Sequence, residues 1–119
     1  MSTATLSTDQ LQRAHCRALE GHAAMSAADV HAQLAAVPEW RLNGDAIARD
    51  YRFADYYQTI AFVNALAFMV HREDHHPDLA VSYNRCAVRF NTHSVGGLSL
   101  NDFICAAKAD ALYAGRAGA

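Results

Sequence analysis

The dipeptide Asn43-Gly44 does more than any other stretch to limit what this chain can fold into. It stands between Trp40-Arg41-Leu42 and a longer segment, Ala46 to Phe53, and both flanks alternate apolar with polar residues. Asn-Gly favours a tight turn with positive φ, and a period of two is that of a strand with one buried face. A β-hairpin is therefore expected here, and its apolar face needs a cover. Upstream, Ser26-Ala-Ala-Asp29 has the form of a capping box with Asp in place of Glu or Gln, and Val30, Leu34 and Val37 follow at helical spacing. This predicts a helix over about 26–36, ending before Pro38.

Downstream, Asp55 can cap a long helix through Tyr56, Ile60, Phe62, Val63, Leu66, Ala67, Phe68, Met69 and Val70. Its apolar residues occupy more than one face, so one side is expected on the sheet and another against a second subunit. After Pro77, residues 79–83 and 86–92 read as two strands across an Asn84-Arg85 turn, with Cys86, Val88 and Phe90 on one face. Ser94 to Leu98 is a glycine-containing loop. Ser99-Leu-Asn-Asp102 is a second Ser-x-x-Asp cap, opening a helix through Phe103, Ala106, Ala107 and Leu112. The order α-β-β-α-β-β-α implies an α+β domain, a four-stranded antiparallel sheet with helices on one face. Residues 26–114 form that domain; 1–25 are an arm or an extra helix around Thr8 to Leu19 with no function assigned, and 115–119 are a tail.

The 119 residues suffice for one core, and 52% apolar against 18% charged residues argues against disorder. A formal charge of −2 makes a general nucleic-acid binder a poor expectation, because such domains concentrate positive charge against phosphates. Small molecules or proteins are the better partners. Cys16, Cys86 and Cys105 are widely spaced and contain no Cys-x-x-Cys pair, which suggests neither a disulfide framework nor a thiolate zinc site. The first thirty residues lack the apolar core of a signal peptide, and no apolar run approaches the ~20 residues that span a bilayer. A soluble protein of the reducing cytoplasm is expected.

Four of the seven histidines, His71, His75, His76 and His93, fall between positions 71 and 93. Imidazole is the side chain whose ordinary pKa best suits proton transfer near neutrality. His71 and His75 share a helix face if the helix continues that far, and with His76 or His93 they are a candidate zinc set. Arg72 stands where a zincin has its general base. Alternatively, His75, His76 and His93 act without metal: Pro77 directs the chain just after the pair, and the second hairpin returns Thr92-His93 toward it. A third reading makes His75 and His76 ordinary solvated residues at a helix end, favoured by the helix dipole.

The run His71-x-x-x-His75-His76-Pro77, with Tyr83, Thr92-His93, the loop Ser94 to Ser99 and Asp102 behind it, resembles the signature of the pterin-4a-carbinolamine dehydratases. Pro38-Glu39-Trp40, Gly44-Asp45-Ala46-Ile47 and Phe62-Val63-Asn64 resemble the same family, so the likeness covers about Ser26 to Tyr113. The resemblance implies the α-β-β-α-β-β-α order, a 4a-hydroxytetrahydropterin substrate and loss of water to quinonoid dihydropterin, with no metal or organic cofactor. It implies His75, His76 and His93 as active-site histidines. Asp74, Pro77, Thr92, Ser94, Val95 and Trp40 are implied beside the substrate, with His71 and Asp102 behind them.

Asp74 can also be an exposed helix-end carboxylate, Asp102 a cap, Thr92 a strand end and Trp40 core. His71 stands where family members often carry a carboxylate, and Leu79 replaces an aromatic of some members. The resemblance implies an aromatic amino acid hydroxylase as partner, and the apolar residues on several faces of the 55–70 helix predict further copies of the chain, as a homodimer or homotetramer. Two other function classes compete: an accessory or dimerisation protein that docks through the apolar helix, and a His-ligated metallohydrolase.

Overall fold

The first hairpin forms with its turn one residue later than the Asn-Gly pair suggests. Strand β1 (Arg41–Asn43) pairs with β2 (Ala46–Arg52), Asn43 lies opposite Ala46, and Gly44-Asp45 make the turn. Gly44 takes the positive φ, +62°, that glycine adopts without steric cost. The computed structural model describes residues 5–116. Its remaining elements are α1 (Thr8–Arg13), α2 (Ala27–Leu34), α3 (Tyr56–Glu73), β3 (Asp78–Ser82), β4 (Arg85–Phe90), a 3-10 turn (His93–Val95) and α4 (Leu100–Ala114). The second hairpin also shifts by one position: Ser82 lies opposite Arg85, leaving Tyr83-Asn84 as its turn.

The sheet order is β1-β2-β4-β3, antiparallel throughout. The cross-strand pairs Ile47–Phe90, Arg49–Val88 and Tyr51–Cys86 set one face toward α3 and α4. On this face Ile47, Tyr51, Cys86, Val88 and Phe90 are buried. Each large apolar side chain so covered contributes about 1.5–3 kcal/mol. The other face carries the ion pairs Arg85–Asp50 and Arg89–Asp45, as expected of an antiparallel sheet covered on one side. The fold is therefore the α+β arrangement that the order of elements implied.

Helix α3 starts at Asp55, whose carboxylate accepts the Gln58 N–H, and buries Thr59, Phe62, Leu66 and Val70 along one stripe. Its outer side leaves Tyr56, Tyr57 and Phe68 exposed, which explains the apolar residues on several faces. Helix α4 is buried along most of its first ten residues and is the central layer. Near its end, Asp110 Oδ1 accepts from the Trp40 indole (3.0 Å), Arg49 (2.7 Å) and the Tyr51 hydroxyl (2.6 Å). Burial and the nearby Asp110 charge push the Tyr51 hydroxyl far above its ordinary pKa, so it stays a donor.

The N-terminal arm is part of the packed structure. Its helix is shorter than the expected span to Leu19, because Ala14 turns extended at ψ 166° and the chain then crosses α4 without regular structure. Leu11 is fully buried in the core. Two carboxamides grip the arm's backbone in both directions, Gln33 at Leu6 (3.1 and 2.8 Å) and Asn101 at Arg17 (3.1 and 2.7 Å). Among the described residues no helix is long and apolar enough to cross a membrane.

Candidate active site

The end of α3 explains how His75 reaches the interior. Asp74 adopts the left-handed conformation (φ 53°), its N–H donates to the His71 carbonyl, and the His75 N–H donates back to the Val70 carbonyl. This is the paired bonding of a Schellman turn, a position usually given to glycine. Aspartate tolerates it better than most side chains. The chain reverses there, so His71 and His75 do not share a helix face, and the geometric basis for pairing them on a metal is lost. Among the described residues no group of three His, Cys, Asp or Glu side chains is arranged to hold a metal ion.

The turn sets the His75 ring flat against Phe90, 5.9 Å between centroids and 9° between planes. His75 Nε2 lies 2.6 Å from Asp102 Oδ1, and its side chain is 11% exposed. Asp102 is fully buried in the first turn of α4, where its Oδ2 accepts the Ser99 N–H (2.9 Å) and the Thr92 hydroxyl (2.8 Å). Thr92 spends its one hydroxyl proton on Asp102, so the Ser99 hydroxyl donates to Thr92 Oγ1 at 2.7 Å. A buried carboxylate is costly unless both oxygens are satisfied, and here donors from three elements satisfy them. The cap at the start of α4 is thus also the anchor of a histidine.

Thr92 in turn closes the loop that carries His93. Its N–H donates to the Gly97 carbonyl (2.8 Å), and Gly96 turns the chain at φ +69°. His93 and Ser94 are exposed and Val95 is half-buried on this loop; His76 is exposed and Pro77 half-buried beside His75. One carboxylate therefore grips the immediate neighbours of both exposed histidines: His75, which precedes His76, and Thr92, which precedes His93. His71 and Asp74 lie exposed on and just after α3. A cavity of about 470 Å³ borders Gly96, Gly97 and Leu98, but its walls include Met25, Val30, His31, Leu34 and Leu42 rather than His75, His76 or His93.

Trp40 is a core residue, 4% exposed and 5.7 Å from Phe90, so the Phe90 ring contacts both Trp40 and His75. Two members of the network were not singled out as site residues in the sequence. Phe90 was visible only as a core position of an alternating strand, and Ser99 only as a helix cap. Their link to His75 depends on contacts across 15 and 24 positions of the chain.

The arrangement has definite chemical capacities. An imidazole whose Nε2–H donates to a carboxylate keeps Nδ1 as its proton acceptor, and the carboxylate stabilises the imidazolium formed when that nitrogen is protonated. His76 and His93 make no side-chain hydrogen bond among the described residues and lie on the surface. The set can give and take protons and offers hydrogen bonds to a small polar molecule.

Residues 23–112 match the family model described as pterin 4 alpha carbinolamine dehydratase. A protein of Xanthomonas campestris pv. campestris (strain B100), provisionally named a pterin-4-alpha-carbinolamine dehydratase, is 57% identical over 106 residues, which cover 87% of this chain and 90% of that one. A protein of Stenotrophomonas maltophilia (strain K279a) with the same provisional name is 65% identical over 78 residues, covering 64% of this chain and 67% of that one. Among solved structures, a transcriptional coactivator/pterin dehydratase from Brucella melitensis superposes with a TM-score of 0.72 at 30% identity, over 75% of this chain and 97% of that one. A pterin dehydratase-like protein identified as a RuBisCO assembly factor in the alpha-carboxysome superposes with a TM-score of 0.56 at 27% identity, over 66% of this chain and 93% of that one.

Proposed function

The chain belongs to the pterin 4 alpha carbinolamine dehydratase family, and from that premise we propose that it removes water from a 4a-hydroxytetrahydropterin to give quinonoid dihydropterin. The observation that carries this reading is the Asp102 carboxylate, which joins His75 and the Thr92-His93 segment across 27 and 10 positions of chain.

Elimination from a carbinolamine needs an acid at the departing 4a-hydroxyl and a base for a ring N–H proton. His75 and His93 share these roles, while His76 binds the pterin and stabilises the cationic intermediate. Asp102 is the positioning residue: it holds the His75 ring against Phe90 and selects its tautomer. Asp74, Pro77, Ser94 and Val95, with the backbone of Thr92, border the substrate. General acid and base terms typically contribute ~10²–10⁴ each. No metal takes part, so a chelator leaves the rate unchanged. The enzyme works in the cytoplasm and returns pterin to an aromatic amino acid hydroxylase.

Stopped-flow observation of freshly generated 4a-hydroxytetrahydropterin tests the reading. The protein accelerates loss of water, and His75→Ala or His93→Ala loses most of that acceleration while remaining folded. Unchanged rates in both variants contradict it.

A second reading has its own observations. The outer side of α3 exposes Tyr57 (83%) and Phe68 (67%), and the edge strand β3 exposes Leu79 and Val81. The two structural relatives are named a coactivator and an assembly factor. These surfaces suit a protein partner or a further copy of the chain; Leu79, opposite Val88, lies at the same end of β4 as Phe90 and the histidine site.

A further inference from the structure

The arm and α4 meet at a pair of thiols that the proposed dehydration does not use. Cys16 Sγ lies 3.5 Å from Cys105 Sγ and 3.6 Å from the Asn101 carbonyl. Cys105 is fully buried, whereas Cys16 is half-buried. Both are free thiols, and the third, Cys86, is buried in β4 within the sheet. We propose that Cys16 and Cys105 are a site of reversible oxidation that closes to an intramolecular disulfide and stitches the arm onto α4.

Three features support closure. A disulfide needs sulfurs about 2.05 Å apart, so the thiols have to approach by roughly 1.5 Å, within reach of small side-chain rotations. The backbone on the arm side is held in place: the Cys16 N–H donates to Glu73 (2.8 Å), and Arg17 is gripped at both backbone polar groups by Asn101. Cys105 sits one turn after Asn101 on the same helix. The pair is therefore presented at fixed separation, which favours attack within the pair over further oxidation of either sulfur.

The chemistry balances with a hydroperoxide as oxidant. Hydrogen peroxide meets the more accessible Cys16 first; its sulfur takes one oxygen to become sulfenic acid, and the other oxygen leaves as water. Cys105 sulfur then attacks Cys16 sulfur, the S–O bond breaks, and the hydroxyl leaves with the Cys105 proton as a second water. Two thiols lose two electrons, and one peroxide is reduced to two waters. The hydrogen bond with Cys16 and burial push the Cys105 thiol up from its ordinary pKa, so it is not the first to react; its sulfur, 3.5 Å from Cys16, is the one placed to attack the sulfenic acid. The link joins residues 89 positions apart, and long closed loops gain most from cross-linking.

The test counts thiols. The reduced full-length protein is treated with a small excess of hydrogen peroxide under native conditions, then alkylated in guanidinium chloride and mapped by peptide mass. The expected result is loss of two of its three alkylatable thiols, with Cys86 the one remaining. A peptide pair joining Cys16 to Cys105 appears, the protein stays free of disulfide-linked oligomers, and dithiothreitol restores all three thiols. The melting temperature rises by roughly 5–15 °C on oxidation. Cys16→Ser removes both the cross-link and the rise. Three alkylatable thiols after treatment, a link through Cys86, or sulfinic acid at Cys16 with Cys105 still free would each overturn the proposal. None of these readouts depends on dehydratase activity.

Discussion

At the scale of single residues, Asp102 matters more than its capping position suggests. It accepts the first N–H of its own helix cap, the Thr92 hydroxyl and the His75 ring. Asp102→Asn keeps the shape but replaces one acceptor oxygen with a donor and removes the charge that stabilises an imidazolium. The expected result is a dehydration rate lower by on the order of 10²-fold, read at unchanged secondary structure by circular dichroism. His75→Ala in the Asp102→Asn background should then cost little more, because the two residues act as one unit. Asp74 separates two roles by a different substitution. Its φ of 53° penalises a Cβ without local polar support, so Asp74→Ala should lose about 1 kcal/mol in denaturant unfolding. Asp74→Gly should lose nothing. If Asp74→Gly is also fully active, the position is a helix terminus, and its carboxylate is dispensable to the substrate.

At the scale of elements, the junction of the arm with α3 and α4 is held by Glu73. Its carboxylate accepts the Cys16 N–H and faces the His15 ring (2.9 Å) and the Lys108 ammonium (3.7 Å). Burial alone would push Glu73 up, but these three partners outweigh it and hold the carboxyl below its ordinary value of 4.5. A depressed carboxyl contributes stability that is present above the unfolded value and lost as pH falls through the folded one. Thermal melts should therefore show Glu73→Gln destabilised by about 2 kcal/mol at pH 7, with the difference shrinking as the pH falls below about 4.5. A gap that persists unchanged at pH 3 would contradict this.

The elements themselves were largely legible before the structure. Alternation located both hairpins and Ser-x-x-Asp located both caps, while each turn fell one residue from expectation because register depends on the partner strand. The arm was not legible. Its anchors, Gln33, Glu73 and Asn101, are polar side chains on distant elements that bond to its backbone, and such bonds leave no period in the arm's own residues. The three histidines were legible as a spacing, but the carboxylate network beneath them was not, because it is assembled only when α3, β4 and α4 pack.

For the whole molecule, a domain of this kind with an exposed apolar helix side and an exposed edge strand is expected to assemble with itself. Sedimentation at micromolar concentration should give a dimer or tetramer, and Phe68→Glu, at a site 67% exposed in the single chain, should weaken that assembly without unfolding the protein. A wild-type monomer at that concentration would contradict the expectation. At the centre of the proposed function, the histidine site on Asp102 carries the dehydration. The measurement that tests it most directly is the stopped-flow rate constant for loss of water from 4a-hydroxytetrahydropterin, compared among wild type, His75→Ala and His93→Ala at equal folded concentration. Wild type should accelerate the reaction well above the spontaneous rate, and each variant should fall back toward it by on the order of 10²-fold or more. Wild-type acceleration that survives intact in both variants would show that these histidines do not carry the chemistry.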